Sequence, residues 1–552
     1  MKNFGSYNHT KIEDKIYKFW EKKKYFKPIK NNNKKKYFSI VIPPPNVTGS
    51  LHMGHALNNT IQDLLIRFKR NQGYETLWQP GTDHAGIATQ MVVEKQLALA
   101  GKTRQQLGRK NFIKEIWKWK AKSGNEIVSQ LKKLGSSCDW SKERFTMDKG
   151  LSEAVTKVFV DLYKKKLIYK DLKLVNWDPV LQTAVSDLEV VQKDVNGKLY
   201  FIKYRIKDSS QVVTIATTRP ETMFGDAALA VNPKDDRFKN IVGKTAIVPV
   251  SNKEITIIAD IHADPEQGSG VVKITPAHDF NDFIVGERNN LEKINIFTKD
   301  AKLNENAPSE YIGLDRFDAR SKLLDELEKL DLIEKIETTK HAVPYGDRSN
   351  SIIEPYLTEQ WFLNAKVLSK EAISNVKKKE TSFFPSNWSK TYFQWMDNIQ
   401  PWCISRQLWW GHQIPVWYAP NGEVFVANNK KEAEKLAKKK FKNKVSLKQD
   451  EDVLDTWFSS ALWSFATFGW PKKTYELKRF YSTSVLVTGF DIIFFWVARM
   501  MMMSLYFMKK VPFSNVYVHA LVRDDKGQKM SKSKGNVIDP IVLINEYGAD
   551  AL

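Results

Sequence analysis

The residues best placed by type and spacing to do chemistry are His52 and His55, in the segment Leu51-His52-Met53-Gly54-His55-Ala56. It opens an apolar-periodic stretch directly after a β-type run. Free N–H groups at a helix N-terminus, together with the macrodipole, favour an anion there. Two imidazoles at that point can donate hydrogen bonds to phosphate, and Gly54 lets a ligand approach the backbone closely. Taken alone, the pair reads as well as two satisfied structural histidines or as half of a metal site. A second candidate is Asp524-Asp525-Lys526-Gly527-Gln528-Lys529-Met530-Ser531-Lys532-Ser533-Lys534-Gly535-Asn536, a basic run bounded by glycines. Lysines on a mobile loop, Lys529 and Lys532 above all, can close over a triphosphate and neutralise charge that builds on departing pyrophosphate. Alone, the same run reads as an ordinary solvated basic loop.

The elements that must position these groups follow from periodicity. Tyr37-Phe38-Ser39-Ile40-Val41-Ile42 is a β-type run stopped by Pro43-Pro44-Pro45, whose rings fix φ and withhold ladder donors. After Asn46-Val47-Thr48-Gly49, the residues Leu57, Ile61, Leu64, Leu65 and Phe68 recur at the spacing of an amphipathic helix. Val485-Leu486-Val487 leads through Thr488-Gly489 into an apolar helix, and the run from Val516 to Val522 leads into the Lys529 loop. Strands alternating with helices predict an α/β fold, a Rossmann-type doubly wound parallel sheet that binds ligands outside its strands' carboxyl ends. Short β-rich runs over 191–345 predict an inserted domain between a first half over 1–190 and a second half over 346–552. A smaller insertion is expected near 415–450, with the Lys-rich stretch from Lys430 to Lys448 solvated because like charges resist burial. The apolar run from Ile492 to Met508 is too short to span a membrane and carries Arg499, so it is expected as a buried helix.

Composition bounds the class. The chain has 552 residues, 42% of them hydrophobic and 12% aromatic, which excludes a disordered chain and a single small module. Its formal net charge of +23 suits a protein that meets polyanions, although only 16 of its 86 basic residues are Arg and the excess of Lys reads equally as compositional drift. Cys138 and Cys403 lie far apart with no CxxC partner, so neither a disulfide framework nor a cysteine zinc site is expected. Residues 1–20 carry no apolar core and no Arg, which argues against a secretory or transit signal and for a cytoplasmic protein.

In this order, the two signals resemble the paired His-x-Gly-His and Lys-Met-Ser-Lys-Ser signatures of the class I aminoacyl-tRNA synthetases. Pro43 to Gly49, Gly81-Thr82-Asp83-His84-Ala85-Gly86-Ile87-Ala88-Thr89-Gln90, Trp402 to His412 and Asp455-Thr456-Trp457-Phe458-Ser459-Ser460 extend the resemblance, over essentially the whole chain, to the valyl type. The resemblance implies activation of valine by ATP, with Mg2+ in the substrate complex, and transfer to tRNA(Val). His52, His55, Lys529 and Lys532 would carry catalysis and ATP binding, with Lys532 the first choice for direct ATP contact. Gly489 and Asp491 would meet adenosine, Asp491 being otherwise a helix N-cap. Asp83 would hold the substrate ammonium, while Pro44, Asn46, Trp457, Ile492 and Trp496 would line a small apolar pocket. Apolar walls reject threonine only weakly against valine, so a hydrolytic editing site is expected in the insertion. Thr217, Thr218, Arg219, Thr222, Lys273, Asp279 and Asp282 resemble the family's editing motifs, with Asp279 fixing the amino group; the plainer alternative is a Thr-rich strand end with Pro220 in the first turn of a helix.

Two departures from the family stand out. The sequence ends at Leu552, shortly after the Lys529 loop, so an anticodon-binding domain and coiled coil are expected to be absent or supplied by a separate portion. Zinc-binding cysteine pairs of some relatives have no counterpart, so no protein-bound zinc is expected. A monomer without membrane attachment is expected. A non-catalytic RNA-binding relative is a competing reading, to be marked by degraded signatures, yet His52, His55, Lys529 and Lys532 are all present. A different nucleotidyltransferase leaves the insertion and the Lys529 loop unexplained. Isoleucyl or leucyl specificity remains within the class.

Overall fold

The computed structural model describes residues 8–28, 36–528, 530 and 536–552. The chain divides into two compact units, residues 1–169 with 362–552 and residues 170–361. Composition places the joins at 190/191 and 345/346, where the short β-rich runs begin and end. The strands Ile168–Asp178 and Glu354–Leu363 each span one of the observed joins.

Five strands organise the site-bearing part of the first unit: β1 (Tyr37–Val41), β2 (Glu75–Gln79), β3 (Ser382–Phe384), β4 (Thr483–Gly489) and β5 (Phe513–His519). β1 pairs with β2, β4 with β5 and β5 with β3, every pair parallel. β1 and β4 lie side by side: the Ser39 amide donates to Ser484 Oγ at 3.1 Å and Ser39 Oγ donates to the Phe480 carbonyl at 2.8 Å. The order is therefore β2-β1-β4-β5-β3. From β1 the chain moves outward to β2 and from β4 outward to β5, so the β1/β4 junction is the topological switch point where such folds bind ligands. Ile40, Val41 and Ile42 are fully buried, and the three prolines end the strand in the crevice.

Helix α1 (Met53–Asn71) follows β1 as the spacing predicts, but the face it buries differs. The expected apolar stripe is partly outward: Leu64 is 66% exposed and Phe68 53%. The buried residues are Ala56, Asn58, Asn59, Gln62 and Ile66. Amides occupy that face because they have partners there: Asn58 Nδ2 lies 2.9 Å from His519 Nε2, and Gln62 Oε1 accepts from Trp78 Nε1 at 2.9 Å. Periodicity located the helix; hydrogen bonding to β2 and β5 decided its orientation.

The apolar run before β5 forms a π-helical turn, Ile493–Ala498, continuing into α2 (Arg499–Met508), and its residues are mostly buried. The Lys-rich stretch is solvated on one side only. Lys430–Phe441 is a helix whose Ala433 and Ala437 pack with Trp417, Phe425 and Phe441 beside a three-stranded sheet of Val424–Val426, Val416–Tyr418 and Lys448–Gln449.

The largest sheet of the second unit is ordered Val271–Ile274, Ala228–Val231, Glu254–Ala259, Thr245–Ile247, Val190–Ile206, Ile333–Gly346, with Val212–Thr217 also paired to Val190–Ile206. Helices Phe280–Asn289 and Arg316–Lys329 accompany it. This is the inserted β-rich region that the short β runs predict.

Candidate functional site

At the start of α1, His52 is extended (φ −133°, ψ 171°) and serves as the N-cap. Its Nδ1 accepts from the Gly54 amide at 3.1 Å, while His55 Nδ1 accepts from the His52 amide at 3.2 Å. The two half-buried rings lie 3.9 Å apart between centroids. A ring nitrogen that accepts carries no hydrogen, so each neutral imidazole holds its hydrogen on Nε2 and is a donor from that side. A Cβ on Gly54 would fall 2.8 Å from His52 Cε1. What this glycine admits is therefore the capping imidazole itself, and a substitution would displace the histidine.

Across the switch point, the turn after β4 presents Gly489 and Asp491. Gly489 is the cap residue of that turn and Asp491 stands in its first turn, exposed, so the N-cap alternative for Asp491 is not what the fold uses. A Cβ on Gly489 would lie 2.6 Å from Asp491 Oδ1: the carboxylate folds back over the glycine. In the loop after β5, Asp524 Oδ1 accepts from the Lys526 and Gln528 amides, and Asp524 Oδ2 accepts from Asn536 Nδ2 at 2.7 Å. Lys529 and Lys532 lie outside the described residues.

Between these ends sits a buried carboxylate. The Asp83 backbone pairs with the Asn46 segment, its amide donating to the Pro45 carbonyl at 2.9 Å and its carbonyl accepting from the Val47 amide at 3.1 Å. Its Oδ1 accepts from the Ala85 amide at 2.7 Å and its Oδ2 from Ser460 Oγ at 2.6 Å. Burial pushes this carboxyl up to about 6; the Ser460 and Ala85 bonds work against the rise and Asp455 adds to it. His84 Nδ1 is 3.4 Å from Asp83 Oδ1, but burial pushes its pKa down to about 3, so the ring is neutral. Among the described residues no Lys or Arg pairs with Asp83.

Aromatic groups close the same region. Trp496, on the π-helical turn, donates from Nε1 to the Ser460 carbonyl at 3.2 Å, and Trp457 stacks on Phe495 at 5.1 Å. Pro44, Trp457 and Ile492 are half-buried, Trp496 is buried, and Asn46 is exposed. Asp455 orients the helix Thr456–Ser460: its Oδ1 accepts from the Trp457 amide at 3.2 Å, while its Oδ2 meets Trp402 Nε1 at 2.9 Å, Arg406 at 3.3 Å and Arg499 at 3.4 Å. Ser460 and the Asp455 cluster received no role from the sequence, although the segment that holds them stood out; nothing in the pattern tells which of its polar residues meets Asp83.

In the second unit, the Thr217 to Thr222 segment is held by charge. Arg219 pairs with Glu354 and, at 3.4 Å, with Glu221, and its guanidinium donates to the His278 carbonyl at 3.1 Å. Arg320 binds Glu221 through both oxygens at 2.7 and 2.8 Å. Burial opposes ionisation of Glu221, yet Arg320 and Arg219 hold its pKa below the usual value. Lys273 Nζ donates to Thr222 Oγ1 at 2.7 Å, Thr275 Oγ1 at 2.5 Å and Asp226 Oδ1 at 3.2 Å. All three ammonium hydrogens thus go to protein oxygens, so Lys273 acts by placing Thr222. Thr217 Oγ1 accepts from the Arg219 amide at 3.0 Å, and Thr218 is half-buried. Asp279 is the exposed N-cap of Phe280–Asn289, its Oδ1 accepting from the Asn281 and Asp282 amides. Asp282 is buried, its Oδ2 accepting from the Thr275 amide at 2.9 Å and its Oδ1 lying 3.6 Å from His262. Asp226, the fully buried partner of Lys273, Thr275 and Tyr204, carried no motif that sequence could have flagged.

A parallel sheet with its switch point at β1/β4, a histidine-capped helix on one side and a glycine-aspartate turn on the other, is a doubly wound α/β arrangement whose ligand crevice lies at that switch point. Residues 15–552 match the family model of the class I tRNA synthetases (I, L, M and V), and the chain belongs to that family. It is 65% identical over 547 residues to the valine–tRNA ligase of Pelagibacter ubique, covering 99% of this chain and 62% of that protein. The valine–tRNA ligase of Caulobacter vibrioides is 56% identical, covering 99% of this chain and 63% of that protein. The chain thus spans a little over three fifths of the length of these relatives. Among solved structures, the Agrobacterium radiobacter K84 agnB2 LeuRS, in a ternary complex with tRNA and LeuAMS, aligns over 99% of this chain and 72% of its own with TM-score 0.54 at 18% identity, a likeness of fold.

Proposed function

We propose that this chain is the catalytic part of a valine–tRNA ligase. The valine carboxylate attacks the α-phosphorus of ATP, supplied with Mg2+ as the substrate complex; the bond to the β-phosphate oxygen breaks and pyrophosphate leaves, giving valyl-adenylate. The valyl group then passes to the terminal ribose of tRNA(Val). The observation that carries this reading is Asp83: a buried carboxylate satisfied by neutral donors, beside the switch-point crevice and next to apolar aromatic walls, has no Lys or Arg partner among the described residues, and an α-ammonium would bring that cation. His52 and His55 donate from Nε2 to the phosphates, Gly489 and Asp491 hold adenosine, and Lys529 and Lys532 neutralise departing pyrophosphate. Pro44, Asn46, Trp457, Ile492 and Trp496 line the pocket for the side chain. Catalysis is then positioning and charge stabilisation, with no covalent enzyme intermediate.

The second unit serves as the editing site for threonyl-tRNA(Val). Thr218 and Thr222 position substrate and water, Asp279 and Asp282 supply negative charge for the amino group, and Arg219 and Lys273 hold the frame. Valine is favoured over isoleucine and leucine because the most similar relatives cited above are valine–tRNA ligases. The test is ATP–pyrophosphate exchange by this chain with valine, threonine and isoleucine in parallel. Exchange led by valine supports the reading; exchange led by isoleucine, or none from folded protein, overturns it.

A further inference from the structure

We propose that Ser460 is a positioning residue of the amino-acid pocket, its hydroxyl holding the Asp83 carboxylate in the one orientation that presents it to an α-ammonium. The inference rests on the reading of Asp83 given above.

Ser460 Oγ lies 2.6 Å from Asp83 Oδ2 and 3.0 Å from the Thr456 carbonyl. A hydroxyl has one hydrogen, so it can satisfy only one of these acceptors, and the shorter, charge-assisted contact takes it. The usual role of a helical serine, donation back to its own helix, is thereby given up. The opposite oxygen, Oδ1, is fixed by the Ala85 amide, so the carboxylate is pinned at both ends while each oxygen keeps lone-pair capacity for a further donor. Ser460 is itself held in place. Its carbonyl accepts from Trp496, Thr456 Oγ1 accepts from the Gly86 amide at 2.9 Å, and the Asp455 cap anchors the helix start. One residue thus fixes the candidate ammonium ligand and a candidate pocket wall together.

The charged and titratable groups around Asp83 leave Ser460 a distinct task. Asp455 repels the Asp83 charge, its own being met by Arg406 and Arg499, while burial holds His84 and His412 neutral. Besides the Ala85 amide, the Ser460 hydroxyl is what favours the ionised form that an ammonium needs.

The experiment is ATP–pyrophosphate exchange by Ser460→Ala between pH 6 and 8 with valine, threonine and isoleucine, beside Ser459→Ala. Ser459 is equally buried on the same helix but donates to the Thr456 carbonyl at 2.9 Å. For Ser460→Ala, KM should rise about tenfold for all three amino acids, the size of a lost hydrogen bond to a charged group, with kcat changed less than about twofold. The fall of KM with rising pH should move to higher pH, because Asp83 loses a bond to its anionic form. Ser459→Ala should keep both the wild-type KM and its pH profile. An unchanged KM and profile in Ser460→Ala, or the same shift in Ser459→Ala, overturns the proposal. Wild-type protein without amino-acid-dependent exchange overturns the underlying reading of Asp83 instead.

Discussion

Each unit holds a buried carboxylate at its candidate site, Asp83 in the first and Glu221 in the second, and the two are treated oppositely. In the second unit Glu221 is fully buried and clasped by Arg320 and Arg219, and Glu354 is met by Arg219 and Arg316. In the first unit Asp83 receives a hydroxyl and a backbone amide, without a cation among the described residues. The Glu221 charge is compensated within the fold, which pulls its pKa down; the Asp83 charge is not, and burial pushes its pKa up to about 6. A charge neutralised inside the protein holds structure together. One left uncompensated keeps its strongest interaction for an incoming ligand, at a standing cost in stability.

The largest way to break the comparison is Glu221→Ala. Removing one partner from a buried charge network leaves Arg320 and Arg219 uncompensated and should cost about 3–5 kcal/mol in urea unfolding, while valine-dependent exchange in the first unit persists. If Glu221→Ala is as stable as wild type, the network is not what holds the Thr217 to Thr222 segment. Asp83→Asn should do the reverse, raising KM for valine on the order of a hundredfold with little loss of stability, since it removes the charge-assisted contact to an ammonium while keeping shape.

Acid sharpens the contrast. KM for valine should rise about tenfold between pH 7 and pH 5 as Asp83 takes up a proton near pH 6, a change that Asp83→Asn should abolish. The same groups drive stability in opposite directions. Asp83 holds its proton to higher pH folded than unfolded, so its contribution falls as pH rises between about 4 and 6; that of Glu221 is complete above its unfolded pKa of about 4.5 and is lost as pH falls through its depressed folded value. The smallest effect is expected from Gly54→Ala, which crowds the His52 ring and should cost about 1 kcal/mol of helix capping, measured by thermal unfolding, with a fall in exchange rate.

Much of the frame was legible in the sequence. The β-type run ending at Pro43, the helix opened by His52, and the second strand-to-turn passage at Gly489 follow from local periodicity and from residues whose backbones are restricted or permissive. The β-rich insertion showed as a change of pattern, because strand alternation is written residue by residue. The motif residues of the candidate site were visible for the same reason, being contiguous in the chain.

What sequence could not decide is which side chains meet across it. The apolar stripe of α1 suggested an inward face, but Leu64 and Phe68 are exposed and the buried face carries Asn58 and Gln62, since their partners His519 and Trp78 come from strands far along the chain or beyond a turn. Gly54 reads as a place for close ligand approach, and only the structure shows that the His52 ring lies beside it and the Asp491 carboxylate beside Gly489. Asp83 and Ser460 are 377 residues apart, and no local pattern records that their atoms lie 2.6 Å from each other. Local sequence fixes backbone preference and periodicity; the partner of a buried charge, and with it the charge state and the chemistry, is set only when folding brings distant segments together and excludes water from between them.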